Sequence, residues 1–390
     1  MQKFFKVSLL TLLIFSFSNS FTYACHTLPS PVVEVCPPKY KLIDLGLQAS
    51  DQSEVVAVND CGKLAGSYSM QGKKCFFIWD EKEGITLISL PASSNILVLN
   101  NANQLAGNYK DFSGCERGFM WDKSRGFCDL GSLGGNFTHV HSMNDLGQIV
   151  GESASAHLSL VDNQQVRHAF VWECGKIMDL GALYGDMGMV GDKSQATSIN
   201  NKGQILGTAN FLITHKGKTL RSDNQAVLWE KGVITKIEPH FNGITIGLSI
   251  NDLGFATYYK QGYPINGTYL INLATKQIDQ LQGPFCEMRL NNKGDLFRFA
   301  PHDLANGLDI QRRPLFEVLY REKKAIPTCY MNEITHKSAS PCALFNPVAT
   351  KPWKLETFQA YSFSNHRWIV GVAQNMYGEQ HAVVLVPEKN

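Results

Sequence analysis

The residues best spaced to do chemistry are His139 and His141. They stand one residue apart, on one face of a strand, a spacing that suits a shared metal ion. The plainer use of such a pair is as polar lining of a loop and an inner strand, and that is the reading adopted; no metal or other cofactor is expected. Tyr184 and Asp186, in a long variable stretch, complete the candidate ligand contacts. Carboxylates recur as Asp44, Asp129 and Asp179, each in an Asp-Leu-Gly run. A group returning at one place in several copies reads as a structural hydrogen-bond acceptor rather than a catalyst. The repeated Trp79, Trp121, Trp172 and Trp229 likewise read as packing surface rather than sugar platforms. No Gly-x-Ser-x-Gly elbow, His-Glu-x-x-His pair, phosphate loop or calcium-binding loop occurs. The sialidase box and the kelch and Trp-Asp repeat patterns are also absent.

The elements that position these residues come from an internal repeat. Its clearest copy joins Arg167-His-Ala-Phe-Val-Trp-Glu-Cys-Gly-Lys-Ile-Met-Asp-Leu-Gly181 to Ala196-Thr-Ser-Ile-Asn-Asn-Lys-Gly-Gln-Ile-Leu-Gly207. The Asn-(Asp/Asn)-x-Gly element begins at Asn59, Asn144, Asn200, Asn251 and Asn291, with a variant at Asn100 and a decayed copy at Ser364. Each unit holds four short runs rich in β-branched or aromatic residues, punctuated by Gly, Asn and Asp. That is the pattern of hairpin-linked strands. Asn and Asp make local turn hydrogen bonds, and Gly takes positive φ without steric cost. The copies lie 40 to 56 residues apart, with one gap of 73. Such spacing predicts an all-β, seven-bladed β-propeller of four-stranded blades. The third-strand runs, from 76–79 to 382–385, give the same count. An isolated fourth strand at 40–46 and an isolated third strand at 380–386 complement each other, so the N-terminal strand should close the ring as the outer edge of the last blade.

The His168-Ala169-Phe170-x-Trp172, Asp179-Leu180-Gly181 and Asn200-Asn201-x-Gly203-Gln204-Ile205-x-Gly207 runs together resemble the HAF repeat, a family of predicted extracellular repeats in bacteria. The resemblance spans most of 40–386, is strongest in the second to fourth units and is weak after Tyr258. It implies an exported bacterial protein and supplies no catalytic residues.

Composition bounds the rest. Lys3 and Lys6 precede an apolar run at 7–17, and Thr22-Tyr23-Ala24 ends in a small residue, so residues 1–24 read as a cleavable export signal. The run is too short to span a bilayer, which takes about 20 residues. Cleavage would leave Cys25 first, although Thr22 is not the Leu usual in a lipidation box. The leader holds two Lys and no acid, so its removal leaves 34 basic against 34 acidic residues. A neutral chain argues against nucleic acid, whose binding is driven by phosphate neutralisation. Ten cysteines behind an export signal, without a Cys-x-x-Cys pair, favour disulfides over metal. Cys25 with Cys36 and Cys329 with Cys342 are the local candidates. Residues 25–39 form an N-terminal segment, 40–390 the propeller, and about 329–355 an insertion.

The expected function is non-enzymatic recognition by a secreted, periplasmic or cell-surface monomer, with a protein or glycan partner. The competing class is an enzyme with its site at the channel mouth, and a third is a structural envelope component. The turns joining first to second and third to fourth strands are short and uniform. The second-to-third loops and the crossings (131–139, 154–166, 181–195, 211–224, 300–313) vary in length. Ligand contacts are therefore expected at the variable end.

Overall fold

The computed structural model describes residues 40–45, 47, 52–185, 188–241, 243–262, 266–281, 287–299, 316–321, 324–325 and 353–387. The chain divides at Pro38, and Met1–Pro37 lies outside the described residues. The described residues are all-β and hold seven four-stranded antiparallel sheets. The first comprises Gln52–Val58, Leu64–Met70, Lys73–Asp80 and Gly84–Ile88. The second comprises Asn95–Leu99, Leu105–Lys110, Glu116–Asp122 and Gly126–Asp129. The third comprises Gly134–Met143, Ile149–Leu158, Gln165–Glu173 and Lys176–Gly181. The fourth comprises Ser194–Ile199, Ile205–Ala209, Gln225–Glu230 and Val233–Lys236. The fifth comprises Ile244–Ile250, Phe255–Gln261, Gly267–Asn272 and Ile278–Leu281. The sixth comprises Glu287–Leu290, Leu296–Phe299, Phe316–Arg321 and Lys324–Ala325. The seventh joins Trp353–Phe363, Ile369–Asn375 and Gln380–Pro387 to the N-terminal strand Tyr40–Asp44, which pairs antiparallel with the C-terminal one from Tyr40 opposite Pro387 to Asp44 opposite Val383.

The apolar core lies between sheets, as in a β-propeller. Ala57, Phe76 and Ile88 of the first sheet pack with Ile96, Leu105 and Phe119 of the second. Met120 meets Phe170, Val150 meets Val227, and Leu206 meets Tyr258 in the next three junctions. Leu270 packs with Met288, and Phe297 with Phe358. Val370 and Ala382 of the seventh sheet then pack with Val55 and Phe77 of the first. Each sheet is too thin to bury its own faces and borrows its neighbour's.

The repeated turn does more than reverse the chain. In Asn144 the side-chain Oδ1 accepts from the backbone N–H of Leu146 (3.1 Å) and Gln148 (3.0 Å), while Nδ2 donates to the carbonyl of Asn200, one repeat on, at 3.0 Å. The same outward link runs from Asn59 to Asn100, Asn100 to Asn144, Asn200 to Asn251 and Asn251 to Asn291. Only an amide both accepts and donates in this way, so Asp cannot replace it. The next residue of the turn builds a second relay, in which each backbone N–H donates to the following side-chain oxygen. It runs Asp60, Asn101, Asp145, Asn201, Asp252, Asn292, Asn365 and returns to Asp60, at 2.6–2.9 Å. Asn101 Nδ2 donates to both Asp60 and Asp145, and Asn201 Nδ2 to both Asp145 and Asp252. Between the sixth and seventh sheets the first relay stops. There Asn291 Nδ2 turns back to Asp295, and Arg367 reaches the fully buried Asp295 carboxylate at 2.8 Å.

Six of the seven inner strands share a bulge at the same place. The pairing slips at Val56, Leu97, His141, Thr197, Leu248 and Tyr361, each three residues before the turn. The bulge pushes a carbonyl toward the second strand, where a Gly receives it. A Cβ on Gly66, Gly107, Gly151, Gly207 or Gly371 would sit 1.8–2.1 Å from that oxygen. This is why the repeat demands Gly there. The fifth sheet has Tyr258 at this position and moves the glycine across the pair, to Gly247. In the sixth sheet the inner pairing shows no slip.

Several boundaries differ from expectation. Stretch 131–139 is mostly strand, because the inner strand of the third sheet starts at Gly134. Strands likewise enter both ends of 154–166. Stretch 211–224 carries an extra hairpin, Leu212–His215 with Lys218–Arg221. Residues 353–355 are not insertion but the start of an inner strand. Stretch 300–313 lies outside the described residues, as do the candidate disulfide cysteines Cys25, Cys36, Cys329 and Cys342. The cysteines that are described, Cys61, Cys75, Cys115, Cys128 and Cys174, are free thiols, so the expected disulfides are not found among them.

Candidate functional site

The structure brings His139 and His141 together, with ring centroids 4.8 Å apart. His139 Nδ1 is 2.7 Å from Glu116 Oε1 of the second sheet, and its ring stacks on Phe137 at 6.2 Å. Arg167 lies over the same Phe137 ring, its guanidinium 4.4 Å from the centroid. Glu152 is the cross-strand partner of His139. Burial pushes the Glu152 carboxyl above its ordinary range, against the pull of Arg167 and His139. Burial, reinforced by the neighbouring His139, lowers His141 to about 4, so its ring is neutral at physiological pH. Its Nε2 is buried with no hydrogen-bond partner. Among the described residues no cluster of three or more His, Cys, Asp or Glu is arranged to hold a metal ion. A carboxylate-oriented imidazole is a part of acid–base machinery. The only hydrogen-bond partner of the His139 ring nitrogens among the described residues is Glu116.

A second network fastens the variable end over the third and fourth sheets. Asp192 is buried and accepts from Asn210 Nδ2 (2.8 Å), Arg221 Nε (2.9 Å) and Ser159 Oγ. Arg221 also pairs with Asp162 at 2.7 Å. Burial alone would raise the Asp192 carboxyl; Arg221, Ser159 and Asn210 outweigh it and hold the group below its ordinary range. Three connections, 159–164, 182–193 and 210–224, are thereby tied to one carboxylate. From this fastened surface project Leu158, Leu160, Tyr184, Val190 and Leu220, with Leu160 and Tyr184 each 72 % exposed. Tyr184 is held by a bridge to Val190, whereas Asp186 lies outside the described residues.

The His-Ala-Phe and Asp-Leu-Gly runs also acquire a role. His168 Nδ1 meets Asp179 at 2.9 Å and its Nε2 meets the Gly191 carbonyl at 2.9 Å, so both ring nitrogens face acceptors. Burial disfavours the His168 charge, but Asp179 and the Gly191 carbonyl outweigh it and raise its pKa. His381 and Asp44 repeat the pair at 3.4 Å. Sequence reading assigned these Asp residues a structural hydrogen bond and did not find the partner. The signal was there: His and Asp recur at matched places of adjacent strands. Trp172 and Trp229 are buried in the inter-sheet core, with Trp229 Nε1 donating to the Leu180 carbonyl at 2.9 Å.

No protein-family model matches the chain, and no curated protein matches it either. Among solved structures, the chain is similar to the β-propeller domain of the trilobed protease from Pyrococcus furiosus, at 7 % identity over 87 % of this chain and 97 % of that one, TM-score 0.48. It is also similar to virginiamycin B lyase from Staphylococcus aureus, at 12 % identity over 90 % of this chain and 100 % of that one, TM-score 0.43. A gluconolactonase from Xanthomonas campestris is 11 % identical over 91 % of this chain and 96 % of that one, TM-score 0.35.

Proposed function

We propose that this chain is an exported, closed seven-bladed propeller of the HAF-repeat kind that recognises a protein partner without catalysis, through the loop face over its third and fourth blades. The observation that carries the reading is the set of exposed apolar side chains, Leu158, Leu160, Tyr184, Val190 and Leu220, on loops and strand ends fastened by the Asp192 network. Apolar groups held rigidly in water lose little entropy on binding and gain the burial term. A protein uses such a surface better than a glycan, which needs polar contacts in quantity. The apolar run at 7–17 supports export. The cyclic order of core clusters and of the backbone relay supports closure.

The test compares Leu160→Glu with Tyr184→Ala on the loop face against Leu146→Glu on the exposed turn at the other end. Partner capture from the native surroundings, followed by measured affinity for the purified partner, should fall at least tenfold for the first pair only. Equal loss in Leu146→Glu, or a glycan array giving the sole binding signal, overturns the reading. The enzyme alternative rests on the Glu116–His139 contact; turnover of any substrate abolished by His139→Gln would favour it.

A further inference from the structure

Four of the six bulged residues line one cavity. The turn and the receiving Gly stay nearly constant from unit to unit, whereas the bulge position reads Val56, Leu97, His141, Thr197, Leu248 and Tyr361. A repeat that keeps its scaffold and varies one inward position separates packing from another task. Bulges commonly re-aim a side chain beside a site. Leu97, His141, Thr197 and Leu248 line a cavity of about 510 Å³, together with Gln195 and Arg289, and the Asn and Asp turns line the same space. That volume falls in the range of small-molecule sites, roughly 300–1,000 Å³.

The lining is two-sided. Leu97 and Leu248 offer aliphatic surface from the second and fifth sheets. His141, Gln195 and Thr197 carry hydrogen-bonding groups from the adjacent third and fourth sheets. Thr197 Oγ1 is occupied by backbone carbonyls, those of Leu206 and Gly247, each at 3.1 Å. The His141 Nε2 has no hydrogen-bond partner, but it is buried and presents no open surface to the cavity. Among the described residues, Gln195 is left as the uncommitted polar side chain on this side of the lining.

We propose that the cavity binds a small amphipathic molecule, with an apolar body against Leu97 and Leu248 and a hydroxyl edge toward Gln195. This site is separate from the loop face proposed above and stands without it.

The probe is para-fluorophenol, followed by fluorine NMR with the full chain at low millimolar concentrations. Its resonance should broaden with the unaltered protein. Leu97→Trp and, from the facing side, Leu248→Trp fill the cavity and should abolish the effect; Leu146→Trp, on the exposed turn, should leave it intact. Gln195→Leu keeps the size and removes the amide, and should weaken binding about fivefold, the value of one hydrogen bond. Melting curves select the variants that fold. No broadening with the unaltered protein, or equal broadening in a folded cavity-filling variant, overturns the proposal. Unchanged affinity in Gln195→Leu removes Gln195 from the site and overturns the assigned orientation. Partner capture by the loop face is read on the same variants and should not change.

Discussion

At the scale of single residues, two positions carry unusual demands. Gly151 must have no Cβ, because one would lie 1.9 Å from the His139 carbonyl. Gly151→Ala should therefore destabilise the fold by about 1–3 kcal/mol, the usual cost of overpacking. Gly175, with open space around it but φ of +84°, should cost only about 1 kcal/mol on the same change. Urea unfolding of both variants checks the order. The second demand is His168. Its raised pKa means that its stabilisation is full below about pH 6.5, the unfolded value, and is lost as pH rises through the folded value. For Asp179, burial opposes ionisation but His168 outweighs it and lowers the pKa, so that contribution is lost as pH falls through the depressed value. The pair is thus strongest between the two. His168→Gln should flatten the fall in melting temperature above pH 6.5 relative to the unaltered chain. A parallel fall in both proteins would remove His168 from that role.

At the scale of elements, the turn is the unit that couples one sheet to the next. Asn144→Asp keeps the local Oδ1 contacts, loses the donors to Asn200 and Gln148, and sets a charge against a carbonyl. A loss of about 1–3 kcal/mol is expected, as for a buried acceptor left unmade. Asn201→Asp would gather three carboxylates, since Asn201 Nδ2 now separates Asp145 from Asp252. Its loss should shrink below pH 4, where carboxylates are protonated; chemical denaturation at two pH values measures it. The strands themselves were legible in the sequence, because hairpin turns and alternating apolar residues encode them locally. Gly147, foreseen with positive φ, has φ of +77°. The Asn relay was not legible in one copy, since it joins residues about 40–56 apart, and it emerges only when the copies are set side by side. The His139 and His141 pairing was visible from spacing. Its Glu116 partner was not, because that contact crosses sheets. The Asp192 network escaped notice for the same reason: Ser159, Asp192 and the pair Asn210 and Arg221 come from three different connections.

At the scale of the whole molecule, the N-terminal strand covers the edge of the C-terminal strand. Deleting Tyr40–Asp44 should leave Gln380–Pro387 as an open edge, lower the melting temperature and promote self-association. Calorimetry and light scattering test this together, and an unchanged melting curve would show that the strand is dispensable. The second residue of the turn has a further consequence. Asp and Asn alternate through Asp60, Asn101, Asp145, Asn201 and Asp252, then Asn292 and Asn365 stand side by side. An odd cycle cannot be coloured with two alternating colours, so one like pair is unavoidable. That mismatch falls at the junction where the buried Asp295 meets Arg367 in place of the amide link. Seven interchangeable units would let any unit close against any other, or against a unit of another molecule. Among the described residues the amide links run only from the first unit to the sixth, so both junctions of the seventh unit are unlike the rest. The decayed copy at Ser364 thus works as an address, telling the last unit which neighbours are its own.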